Sequence, residues 1–192
     1  MDLSCWIRAL AAGLALGLVS CSSLPDTPAP PASQQVASAA LFTRAATVFQ
    51  HPRCSNCHPQ DDAPRQGMDA HRHFLNVQRG PDNHGAAGMR CNTCHQDANQ
   101  DHGGVPGAPN WALAPRSMGW RGFSAGDTCR VITDPALNGN RSQEELVHHL
   151  TEDPLVAWAW DPGVGRELPP IPRDEFRALI RQWSETGAAC PP

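Results

Sequence analysis

The chain has 192 residues, 19 acidic against 15 basic, for a formal net charge of -4. That length bounds the answer to one domain or at most two, and the acidic balance excludes the basic stripe that nucleic-acid binding requires. With 16 Gly, 19 Pro and aromatics at only 6%, side chains alone supply little core, so a group that adds apolar surface would help such a chain to fold.

Residues 1–20 read as a targeting segment. A polar start with Arg8 leads into the apolar run Ala9 to Val19, too short for the roughly 20 residues that cross a bilayer and suited to a signal peptide. The run ends in Leu18-Val19-Ser20-Cys21, which resembles the lipobox of bacterial lipoproteins. The likeness implies cleavage before Cys21 and acylation of it, hence a periplasmic protein anchored to a membrane by lipid, with Ser22 favouring the outer membrane. An ordinary secretory peptide with a chance cysteine is the alternative. Residues 21–34, rich in Pro, Ser and Ala, lack a periodic apolar face and read as a flexible tether. Residues 35–192 are then a single domain.

That domain opens with a helix over Gln35–Phe49, which places Val36, Ala40, Leu41, Ala45, Val48 and Phe49 on one face and which Pro52 should end. Residues 59–90 and 96–126 are rich in Gly, Pro, Asn and Asp and read as long loops, a length that calls for something to organise them. Ser142 and Glu145 form a capping-box pattern for a helix to about Glu152, and Asp153-Pro154 caps a short turn over 155–160. Asp174–Glu185 brings Phe176, Leu179, Ile180 and Trp183 onto one face, with Gly187 as the stop. No alternating strand pattern is visible. The fold class expected is mostly α with long irregular loops, a dihaem (multihaem-type) cytochrome c domain.

The chemistry lies in Cys54-Ser55-Asn56-Cys57-His58 and Cys91-Asn92-Thr93-Cys94-His95. Cys-x-x-Cys-His is the attachment signature of c-type haem: two thiols reach the porphyrin vinyl groups and the adjacent His ligates the iron. The sequence thus leads one to expect two haem c groups, with His58 and His95 as proximal ligands. Cys91 follows Cys54 by 37 positions, too short a chain to wrap each haem in a domain of its own, so the two should share one. Candidate distal ligands are His73 and His84 first, then His71, His102 and Met118, with His51, Met68 and Met89 as further possibilities. A zinc ribbon using the four cysteines, and a thioredoxin-like dithiol pair, are the competing readings of the same spacing. Of the remaining cysteines, Cys129 and Cys190 should pair in a disulfide closing a loop of about 60 residues, worth roughly 3–4 kcal/mol; two free buried thiols are the alternative.

The runs His51-Pro52-Arg53-Cys54 to Pro59, Arg79-Gly80-Pro81-Asp82-Asn83-His84-Gly85, Gly88-Met89-Arg90-Cys91 to Gln96 and Gly104 to Trp111 resemble a bacterial family of small dihaem c-type cytochromes, often labelled isoquinoline 1-oxidoreductase subunit. The likeness runs from about residue 40 to Cys190. It implies a redox partner of a molybdenum hydroxylase, and nothing in the chain resembles that enzyme's catalytic domains. The function expected is a periplasmic electron-transfer cytochrome c, passing electrons from a dehydrogenase donor to a respiratory acceptor, more an electron carrier than an enzyme. The alternatives are a dihaem peroxidase or small reductase with one open iron, and a zinc-binding interaction module.

Overall fold

The computed structural model describes residues 31–192; the signal peptide, Cys21 and most of the expected tether lie outside the described residues. The first helix, α1, spans Ala32–Phe49 and so begins three residues before the expected start. Its buried face carries Phe42, Ala45, Val48 and Phe49, and Ser38 is also fully enclosed. Ser38 Oγ donates to the carbonyl of Trp183 and accepts from the amide of Ala189, which satisfies a polar group inside the core.

Pro52 does not simply end that helix. It occupies the first turn of α2, Pro52–Ser55, where a missing N–H costs nothing. His51 caps α2, its Nδ1 accepting from the amide of Arg53 at 3.2 Å. Two strands of two residues each, β1 (Arg65–Gln66) and β2 (His71–Arg72), pair antiparallel. At two polar residues each they carry no apolar–polar alternation by which a strand could be read. Short 3-10 turns follow at Phe74–Asn76, Cys91–Thr93 and Arg116–Met118.

Helix α3, Ala125–Thr133, was not expected from the sequence, because its buried residues are few and mixed in polarity. Ser124 caps it, accepting from the amide of Asp127, and it buries Thr128, Cys129 and Ile132. Helix α4 is Gln143–Glu152, and both halves of its capping box form between Ser142 and Glu145. Asp153 caps α5, Pro154–Ala157, through the amides of Leu155 and Val156, and a 3-10 turn, Trp158–Trp160, continues it. Helix α6, Arg173–Glu185, buries Phe176, Leu179, Ile180 and Trp183. The domain is mostly α-helical with one minor two-stranded sheet.

The core forms where α1, α3, α4 and α6 meet, around Phe42, Phe49, Ile132, Leu146, Phe176, Ile180 and Trp183. Cys129 in α3 is bonded to Cys190 beyond α6, across 61 positions of sequence. The C-terminus is thereby clamped on α3, where Arg130 donates to the carbonyl of Pro191. The long loops lie outside this helical core, and one side chain gathers them. Arg79, 5% exposed, donates to the carbonyls of Pro59 and Asp61 at 3.2 and 3.0 Å, to that of Ala114, and to Asn83 Oδ1.

Candidate functional site: two thiol–imidazole loops

The first motif sits on α2 and the turn after it, against the helical core. Trp120 is 4% exposed and donates its indole N–H to the carbonyl of Phe49 at 3.2 Å, and its ring meets Phe49 edge-on. The His58 ring stacks on the other side of Trp120, with centroids 3.4 Å apart and planes 17° apart. His58 Nδ1 lies 2.7 Å from the carbonyl of Met118. A carbonyl only accepts, so Nδ1 carries the proton and Nε2 keeps its lone pair. Burial drives the His58 pKa down to about 3, against the opposing pull of the Met118 carbonyl, so the ring is neutral at ordinary pH.

The thiols beside it are neutral as well. Burial pushes Cys54 up to about 12, and the neighbouring Cys57 adds to the rise. Cys57 is raised to about 11, mainly by burial, with Arg53 pulling it back and Cys91 of the second motif pushing it further up. Thiols so disfavoured as thiolates are poor attackers of disulfides. The backbone fixes this loop closely: the Cys57 carbonyl accepts from Ala114 and the His58 carbonyl from Arg121. Gly119 is required there, since a Cβ on it would come 2.7 Å from the carbonyl oxygen of Pro59.

The second motif repeats the plan on a loop. Cys91–Thr93 forms a 3-10 turn, and the amide of Cys91 donates to the carbonyl of His84 at 2.9 Å. His95 stacks on Trp111, with centroids 4.5 Å apart and planes 9° apart, and its Nδ1 lies 2.7 Å from the carbonyl of Pro106. The tautomer is fixed as at His58, and burial lowers the His95 pKa. Trp111 meets Trp158 edge-on at 4.8 Å, and the Trp158 indole donates to Asn99 Oδ1 at 3.0 Å. Burial raises the Cys91 thiol, whereas Cys94 is exposed. Gly85 holds a φ of +94°, and a Cβ there would stand 2.9 Å from the amide nitrogen of Cys91. The Arg90 guanidinium bonds both oxygens of Asp82, at 2.8 and 2.7 Å, and holds its carboxyl well below the usual range.

The two loops touch the same scaffold. Arg53, inside the first motif's helix, lies 5.9 Å over the ring of Trp158, which in turn supports Trp111 behind His95. Sequence reasoning missed both tryptophan backstops and the carbonyl partners Met118 and Pro106. Only the indole-rich composition pointed to the first, and nothing in the sequence marked the second.

The other candidate histidines are dispersed. His73 faces His95, ring centroids 6.0 Å apart and planes at 75°, with Nδ1 2.9 Å from the carbonyl of Phe74. His71 is held through Nδ1 by Asp69 at 2.7 Å, and its Nε2 is buried with no hydrogen-bond partner. His84 is exposed, its Nδ1 2.7 Å from the carbonyl of Asp82, and His102 is exposed. Met118 is a core side chain that serves His58 through its backbone. Met68 Sδ accepts from Arg53 at 3.4 Å.

The expectation of two haem c groups is corrected at this point. So is what rests on it: the periplasmic electron-transfer cytochrome, the dihaem peroxidase or small reductase, the zinc-binding module, and the haem-, iron- and membrane-centred description of the chain. Among the described residues, no group of three or more His, Cys, Asp or Glu side chains is disposed to hold a metal ion. The disulfide is the long-range Cys129–Cys190 bond, while Cys54, Cys57, Cys91 and Cys94 are free thiols. No described helix is long and apolar enough to cross a membrane. The physical reason lies in how each ring is seated: His58 turns onto Trp120 and His95 onto Trp111. Among the described residues the polypeptide by itself therefore assembles neither an iron nor a zinc centre.

Comparison with family models, with curated proteins and with solved structures returns no match for this chain.

Proposed function

We propose that the chain is an exported two-site binding module, in which each loop offers a pair of thiols and one oriented imidazole to a guest supplied from outside the chain. The observation that carries this reading is the repeated seating of the two imidazoles. Each has Nδ1 held 2.7 Å from a backbone carbonyl and an indole stacked behind it, which leaves Nε2 as the one free lone pair. Fixing one ring nitrogen as the donor leaves the other as an oriented hydrogen-bond acceptor. One such seating would be ordinary packing; two on pentapeptides of the same Cys-x-x-Cys-His spacing make a design.

The thiols fit the same reading. Raised pKa values keep Cys54 and Cys57 as S–H at neutral pH, which disfavours thiol–disulfide exchange. The Cys129–Cys190 bond fits an oxidising compartment. Together with the lipobox-like run before Cys21, it supports an exported, lipid-tethered chain whose partners are other envelope proteins.

The test is the intact mass of the full chain, produced with its own signal segment in an exporting bacterium. Under native electrospray conditions the expected result is a mass increment that is lost in a variant with Cys54, Cys57, Cys91 and Cys94 all replaced by Ser. A mass equal to that of the bare processed chain would sink the reading.

A further inference from the structure

We infer that the cleft beside the first loop receives a small oxyanion that carries its own proton, hydrogen phosphate, with Arg53 as donor, Asn56 as acceptor and Arg121 at the entrance. The site goes beyond the two-site reading and uses none of the four thiols. It starts from two orphaned atoms. Arg53 and Asn56 are each 7% exposed. Arg53 Nε and Asn56 Oδ1 are both sealed from solvent without a hydrogen-bond partner. One is a donor and the other an acceptor, and they stand three positions apart, on one face of α2 and its C-cap. Leaving a buried polar group unmade is costly, most of all for a charge. Two together mark a place that a ligand completes.

Arg53 has no counter-charge. Among the described residues its guanidinium forms no ion pair. Nη2 reaches the Sδ of Met68 at 3.4 Å, and Cζ lies 5.9 Å from the centre of the Trp158 ring. Burial weighs most against its charge, Arg166 next, and Glu167, the one carboxylate that supports it, acts least. In Asn56 the acceptor end is identified by its other end, because Nδ2 donates to the carbonyl of Gly67 at 2.9 Å. Both residues are thus tied to Gly67-Met68 by the atoms that are satisfied.

Met68 is also a wall of a cleft of about 430 Å³, shared with Pro52, Ser55, Trp120 and Arg121. Its side chain is exposed and unbranched, and a thioether is a weak acceptor, so an oxyanion entering the cleft displaces it from Arg53 at small cost. Arg121 is exposed, and among the described residues its guanidinium has no partner. Asp69, the one carboxylate on the cleft wall, is engaged by His71 Nδ1 at 2.7 Å. Two guanidinium groups without carboxylates select an anion, and their planar forks match phosphate oxygens. Asn56 selects among anions. Hydrogen phosphate brings a P–O–H that donates to Oδ1, whereas sulfate and carboxylates at neutral pH bring only lone pairs, which Oδ1 repels.

The experiment is titration calorimetry on the full chain at pH 8 and constant ionic strength. The probes are inorganic phosphate, sulfate and glycerol 3-phosphate, whose ester phosphate is deprotonated at that pH and separates the free ion from an esterified source. The parent should bind phosphate at least about tenfold more tightly than either of the others. Arg53→Met keeps the apolar stem and removes the charge, and it should weaken phosphate by about a hundredfold. Asn56→Ala should bring phosphate down to the level of sulfate. Arg121→Gln, at the exposed entrance, should weaken phosphate severalfold, and it decides the matter if circular dichroism shows Arg53→Met unfolded. Equal affinities of the parent for phosphate and sulfate, an ester bound as tightly as phosphate, or parental affinity in a folded Arg53→Met chain would each overturn the site. The mass test of the thiol loops is untouched by any of these results.

Discussion

The same pentapeptide spacing occurs twice in this chain and meets two different environments. The first loop leans on the helical core: Trp120 behind His58 is 4% exposed and reaches Phe49 of α1. The second stands on loops, with Trp111 only half-buried, Cys94 exposed and the carbonyl partner coming from the turn at Pro106. Motif chemistry is therefore set by the pentapeptide, but reactivity and rigidity are set by what packs behind it. The first site is enclosed and slow to react, and the second is open and adjustable.

The widest gap between them should be in thiol reactivity. In the chain with free thiols, Cys94 should react with iodoacetamide at the rate of an exposed cysteine, whereas Cys54, pushed up to about 12, should lag by roughly a thousandfold at pH 8. Residue-resolved mass spectrometry over a time course measures both, and equal rates would erase the contrast. Trp120→Ala should destabilise the domain by about 3–5 kcal/mol in urea melts, because it empties a buried indole site. Trp111→Ala should cost less than half of that, since its ring is partly in solvent already.

Those two substitutions also divide what was legible from what was not. The helices were readable because their signals are local: the Ser142–Glu145 box, the Asp153-Pro154 step, and the spacing of Phe176, Leu179, Ile180 and Trp183. Helix α3 escaped because its buried residues, Thr128, Cys129 and Ile132, are few and mixed in polarity. The thiols and imidazoles were named from spacing alone. Their surroundings were not, since Met118 and Pro106 act through carbonyls that every residue possesses, and Trp120 reaches His58 from 62 positions away. The pairing of His73 with His95 likewise depends on a loop fold with no sequence pattern.

Cleavage of the disulfide should act on the first half of the comparison only. Replacing Cys129 and Cys190 together by Ser should lower stability by about 4 kcal/mol, from a closed loop of 61 positions. Amide exchange in the second loop, at Cys91 above all, should be unaffected under native conditions. The smallest effect expected is electrostatic and belongs to the second loop. Asp82, held down by Arg90, has a folded pKa below its unfolded one, so its contribution is present above about pH 4 and fades as pH falls below that. Faster exchange of the Cys91 amide in acid, abolished in Asp82→Asn, is the expected record. Because the pair is exposed, high salt should weaken it too.

Arg79 gives the two loops a common datum. It binds the carbonyls of Pro59 and Asp61 just past the first motif, and that of Ala114, whose own amide bonds Cys57. It also holds Asn83, next to the His84 carbonyl that receives the Cys91 amide. The separation between the two loops is thus gauged by one guanidinium. An ammonium in its place would present one point of attachment instead of a fork. Arg79→Lys would leave each loop with its own backbone bonds and blur the distance between them, the quantity on which any communication from one to the other depends.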